Sequence, residues 1–169
     1  MKLWNTVFAA GVSLVFIMGC GPKKPDGIPP LYPAKVMVQN GASPIVGASV
    51  FLVSQGATSG SWGVNGVTDS SGTATITTSQ GEWKSKGAPE GNYKIYITKR
   101  PEIQEEPMPE EIANDSDAME RFAAEQMKKL NAAPKIIPEK LSNPAQSPLT
   151  ITVSASGSTE LTVDISEHQ

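Results

Sequence analysis

Along most of the chain, apolar and polar positions alternate with a period of two. Val36 and Val38 share one face of Lys35–Gln39, a segment closed by the turn pair Asn40-Gly41. Val50 and Leu52 do the same in Ala48–Val53, and Ala74 and Ile76 in Thr73–Thr77. In Asn92–Thr98 the apolar face is Tyr93, Ile95 and Ile97, against Lys94, Tyr96 and Thr98. Leu149, Ile151 and Val153, then Leu161, Val163 and Ile165, complete the set. Successive strand side chains point to opposite faces, so each segment predicts a half-buried antiparallel strand too short to stand alone. Six or seven such strands predict two sheets packed face to face, an all-β sandwich. Between two of them, Thr68-Asp69-Ser70-Ser71-Gly72 predicts a turn. There the Asp69 side chain bonds the backbone two residues on, and Gly72 takes a positive φ. As a calcium site, this single carboxylate falls far short of six oxygen ligands.

The alternation stops at about residues 101–148. That stretch holds seven of the 14 prolines, no glycine, and ten acidic against five basic side chains. It predicts an insertion containing one helix, Asp117–Leu130, with Asp117 and Glu120 as a capping pair. Met119, Phe122, Ala123, Met127 and Leu130 form an apolar stripe, and Glu125 lies within reach of Arg121, Lys128 and Lys129. The stripe packs on the sandwich as a satellite core, docks a partner, or belongs to a disordered, solvated segment. No strand is expected inside the insertion, so excising 102–143 should leave the sandwich folded.

The N-terminus carries a different signal. Lys2 precedes a run over positions 7–18 that is apolar apart from Gly11 and Ser13, and Ile17-Met18-Gly19-Cys20 ends it. The run is too short for the roughly 20 residues of a membrane span, and has the length of a signal-peptide core. Its ending resembles the bacterial lipobox. In that chemistry the thiol accepts a diacylglyceryl group, small Gly19 lies beside the cut, and the freed amine of Cys20 takes a further acyl chain such as palmitate. Two or three chains make a stable anchor, which one does not. Residues 1–19 are thus expected to be a cleaved lipoprotein signal peptide and 20–30, rich in Pro and Gly, a lipidated flexible tether. Residues 31–169 are then one domain, long enough for a single core. Gly21 after the cysteine carries no inner-membrane retention signal, so the expected location is the cell envelope, outer membrane over inner.

Composition removes most chemistry. A net charge of −3 and a pI near 5.2 provide no basic field for nucleic acid. Cys20 is the only cysteine, so the domain has no internal disulfide and its thiol is committed to lipid. The only histidine, His168, stands next to the chain end, which leaves no catalytic triad and no zinc set. No enzyme, metal or cofactor is expected. Trp62 and Trp83, in Gly- and Ser-rich segments, offer ring faces on which a sugar could stack, unless they fold back over the sandwich.

Three runs, Gly41-Ala42-Ser43-Pro44-Ile45-Val46-Gly47-Ala48-Ser49-Val50, Thr68-Asp69-Ser70-Ser71-Gly72-Thr73-Ala74 and Pro89-Glu90-Gly91-Asn92-Tyr93-Lys94-Ile95, occur in this order within Lys35–Lys99. Together they resemble the carboxypeptidase regulatory-like family, from whose compact pattern the long insertion departs. The resemblance implies a seven-stranded transthyretin-like β-sandwich and a non-catalytic module with a structural or protein-interaction role. The implied partners are the membrane, through lipid on Cys20, and another envelope protein; the alternative is a carbohydrate-binding module.

Overall fold

The computed structural model describes residues 23–56, 60–101, 107–112 and 115–168. The expected signal peptide, the lipobox and Cys20 lie outside the described residues. Twelve short strands, two α-helices and two 3₁₀ turns follow one another among those described. The strands are β1 (Leu31–Tyr32), β2 (Ala34–Asn40), β3 (Ser43–Pro44), β4 (Ser49–Ser54), β5 (Gly63–Val67) and β6 (Thr73–Thr75). Then come β7 (Thr77–Gln80), β8 (Trp83–Lys86), β9 (Ala88–Pro89), β10 (Gly91–Thr98), α1 (Ser116–Ala132), α2 (Glu139–Ser142), β11 (Thr150–Val153) and β12 (Thr159–Asp164).

These strands make a mostly-β fold around one core. One sheet runs β11-β10-β4-β5-β7-β8, a second β12-β2-β3 with β6 also on β2, and β1 pairs β9 as a small ribbon. The alternating apolar positions are the ones buried between the sheets: Val36, Val38, Val50, Ile95, Ile97 and Val153 are each 0% exposed. On the outer face of the larger sheet, Phe51 and Tyr96 stand opposite each other and stack, ring centroids 4.7 Å apart.

The structure departs from the pattern in three ways. The predicted strand Thr73–Thr77 is two strands. Ile76 divides it, its amide donating to the Ala34 carbonyl of the second sheet and its carbonyl accepting from Gly87 beside the first. Buried on all sides at 0% exposure, Ile76 is the corner at which the chain changes sheets. The strands are not all antiparallel either: β12 pairs β2 in parallel, from Thr159 against Ala34 to Asp164 against Gln39. The turn after β11 carries the chain across to the other sheet instead of folding it back as a hairpin, which sets the direction of β12. Finally, the small strands β1, β3 and β9, with β5 and β8, raise the number of strand segments above seven. None of these five shows a run of alternating apolar residues: β1, β3 and β9 are two residues each, and β5 and β8 each bury a single side chain, Val64 and Trp83.

The turns behave as their residue types dictate. Asp69 Oδ1 accepts from the amides of Ser71 (2.9 Å) and Thr73 (3.1 Å) and from the Ser71 hydroxyl (2.6 Å), which hold this carboxyl below its usual range. Asp164 closes the end of β12 in the same manner. Its Oδ1 accepts from the Ser166 hydroxyl (2.7 Å) and amide (3.0 Å) and from the Gly41 amide (2.9 Å), and Gln39 reaches Oδ2 (3.3 Å). Chiefly through the Ser166 hydroxyl and the Gly41 amide, its carboxyl falls from 3.8 to about 2. A depressed folded-state pKa means that the unfolded chain takes up the proton first as pH falls, so this contribution is present above pH 3.8 and is lost on descending through about 2. Urea midpoints measured from pH 5 to pH 2 should fall less steeply for Asp164→Asn than for the parent chain. Equal slopes would remove Asp164 from the acid sensitivity.

Candidate functional site

The tethered end and the insertion end of the sandwich are opposite ends. β1 lies against β9, one residue before β10 begins, so the chain arriving from the N-terminus meets the domain at the start of β10. Residues 23–30 are partly seated there: Ile28, within the expected tether, is 6% exposed. The insertion leaves from Thr98 at the far end of the same strand. Eight residues of extended chain put these ends roughly 23 Å apart.

At the far end, several elements are locked together. The Thr68 side chain, 3% exposed, accepts from the Ala48 amide (2.8 Å) and donates to the Ile45 carbonyl (2.6 Å). Lys99 Nζ donates to the Val46 carbonyl at 2.7 Å, fixing the exit of β10 to the same loop. On the insertion side, Ile137 is 4% exposed and Leu141 of α2 is 0% exposed, and both join the core cluster. The buried Ser147 hydroxyl donates to the Ile95 carbonyl, so the returning chain continues the edge of β10 towards β11. Excision of 102–143 would therefore remove two core side chains. The insertion thus reaches the core through Ile137 and Leu141, which the predicted stripe does not include.

The helix that was expected to supply that packing does not. No residue of α1 is buried. Its predicted stripe splits: Phe122 and Leu130 are half-buried, whereas Met119 is 39% and Met127 56% exposed. The cap lies two residues earlier than expected. Asp115, not Asp117, is the N-cap, its Oδ1 accepting from the amides of Asp117 (3.0 Å) and Ala118 (3.1 Å), while Glu125 pairs Lys129 at 3.5 Å. An Asp at this position satisfies donors that the first turn leaves open.

Where α1 ends against the exit of β10, a groove of about 400 Å³ opens. Its apolar lining is Pro101, Leu130, Ala133 and Ile137. Its charged lining is Lys99, Arg100 and Lys135, and no carboxylate lines it among the described residues. Exposed apolar side chains stand at the same end, Val46 at 45%, Val67 at 61% and Ile136 at 40%. Of the predicted residues only Leu130 lines this groove. Arg100, Lys135 and Ile137 were not singled out, since no local spacing links residue 100 to residue 135. The one signal was a pair of cations closing a strand just before an acidic insertion.

The tryptophans sit at the other, tethered end and do not form a stacking platform. Trp83 begins β8 and is 9% exposed, and Trp62 is packed against the core cluster. Burying these large apolar rings gains more than exposing them, so both fold back on the sandwich. His168 lies in the final 3₁₀ turn. No group of three metal-ligating side chains occurs among the described residues, nor any helix long and apolar enough to cross a membrane.

No protein-family model matches the chain, and no curated protein matches it. A solved structure, that of a variant of the major pilin subunit BcpA of Bacillus cereus, is similar over 81% of this chain at 17% identity, with a TM-score of 0.40. This chain spans 30% of that pilin's length.

Proposed function

We propose that the protein is a non-catalytic, lipid-anchored module of the cell envelope that holds the far end of a carboxypeptidase regulatory-like sandwich towards another envelope protein. The observation that supports this reading most is the polarity of the domain. The N-terminal chain enters beside β9, while the groove, Val46 and Val67 gather at the opposite end of β10. With lipid on Cys20, that end faces away from the membrane. Scattered apolar residues are ordinary on a surface, but a group of them around a charged groove is the usual form of a protein-docking patch. The outer membrane is the favoured location. The burial of Trp83 leaves the sugar-binding alternative with Trp62 alone, itself partly buried against the core.

Two measurements test this. Mass spectrometry of the membrane-extracted protein should find residues 1–19 removed and Cys20 carrying acyl chains, and Cys20→Ala should release the chain from the membrane fraction. An unmodified Cys20 would end the anchor reading. Photocrosslinkers placed at Val67 and at Gly81 in intact cells should capture a discrete partner from the first position and not from the second. Equal capture at both would end the polarity reading.

A further inference from the structure

We infer that the groove between the exit of β10 and the end of α1 binds the free C-terminal carboxylate of a peptide with apolar terminal residues. This deepens the protein-interaction reading, on which it rests, by naming what the partner presents. The groove supplies cations at one wall and apolar surface at the other. Arg100 and Lys135 are exposed and carry no ion pair to any described residue, and Lys99 is held in place through Val46. A guanidinium fork matches a carboxylate bidentately. Leu130 and Ile137 would leave a bare, fully hydrated anion poorly matched and favour one attached to aliphatic side chains.

The end of α1 decides between a peptide and other organic anions. The Ala133 amide donates to the carbonyls of Lys129 and Leu130. The carbonyl of Asn131, a lining residue, receives no backbone donor among the described residues. Carbonyls at a helix C-terminus carry partial negative charge and call for donors. A fatty acid at neutral pH brings only acceptors to that edge. A peptide brings a carboxylate for the cations and an amide N–H for the carbonyl. The cavity, about 400 Å³, lies within the size range of small-ligand sites. Terminal-carboxylate capture of this sort is an established mode of peptide recognition.

The test is amide NMR on the full chain in neutral-detergent micelles, with N-acetyl-leucyl-leucine, its C-terminal amide and inorganic phosphate as separate probes. The free acid should give saturable shifts at Lys99, Arg100, Asn131 and Lys135, and the amide should bind at least ten-fold more weakly. Arg100→Glu and Lys135→Glu, both at exposed positions, should each weaken the free acid at least five-fold with the remaining spectrum unchanged. Lys84→Glu, on β8 far from the groove, should have no effect. Equal binding of acid and amide, indifference to both charge reversals, or no shifts at millimolar acid would each overturn the inference. Phosphate binding as tightly as the peptide would overturn it in favour of a simple anion site. Crosslinking at Val67 reads partner capture independently, so a failed titration with retained capture rejects the ligand class alone.

Discussion

Replacing Leu141 by alanine is expected to destabilise the protein by about 2–5 kcal/mol, because the side chain is 0% exposed and α2 is too short to move inward and refill the space. The same truncation at Met127, 56% exposed on α1, should change stability by less than about 0.5 kcal/mol. Chemical denaturation of both variants settles the matter. Nearly equal losses would mean that α1 contributes as much as α2 to the packing of the insertion. The contrast matters because the sequence alone suggests the reverse. Met119, Phe122, Met127 and Leu130 form a visible helical stripe, while Ile137 and Leu141 sit among prolines and lysines with no recognisable period.

Gly72→Ala carries the second large effect, expected at about 3 kcal/mol. The residue has φ +76°, in the left-handed region, and a Cβ there would lie 2.7 Å from the Val38 carbonyl oxygen and 2.8 Å from Pro44 Cβ. The left-handed conformation costs an alanine about 1–2 kcal/mol, and forcing the neighbours apart costs a similar amount again. The Val38 oxygen cannot yield freely, since it already accepts the Ile45 amide at 2.9 Å. Gly41→Ala provides the comparison. Its φ is +60° but nothing lies within 4 Å of a built Cβ, so only the conformational cost of about 1 kcal/mol should appear. If both variants lose the same stability, the close approach at Gly72 contributes nothing.

What could be read in advance follows the range of the physics involved. The strands over residues 35–39, 48–53, 92–98, 149–153 and 161–165 were legible because a half-buried strand writes its environment into every second residue. The Asp69–Gly72 turn was legible because its chemistry is contained within a few residues. The parallel pairing of β12 with β2 was not, since it depends on which sheet the chain enters after β11 and no residue in β12 records that. Nor was the groove. Arg100 and Lys135 meet only because α1 turns back on the exit of β10, and such long-range coincidence leaves no local period. Trp83 admitted two readings, stacking or folding back, for a related reason: a tryptophan among glycines and serines shows its surroundings only once the fold supplies an apolar neighbour for it.

The parallel pairing also bears on when this chain can fold. β2 holds a central place in its sheet and β12 is one of its neighbours, so the strand that emerges second completes its hydrogen bonding only with the strand that emerges last. Residue pairs such as Gln39 and Asp164 are separated by 125 positions, and contacts of that span form slowly, after the cost of closing the loop has been met. A chain delivered N-terminus first, from a ribosome or through a translocation channel, therefore stays incomplete until its final turn is free. Only the second sheet waits for that last strand, since β4, β5, β7 and β8 pair among themselves without it.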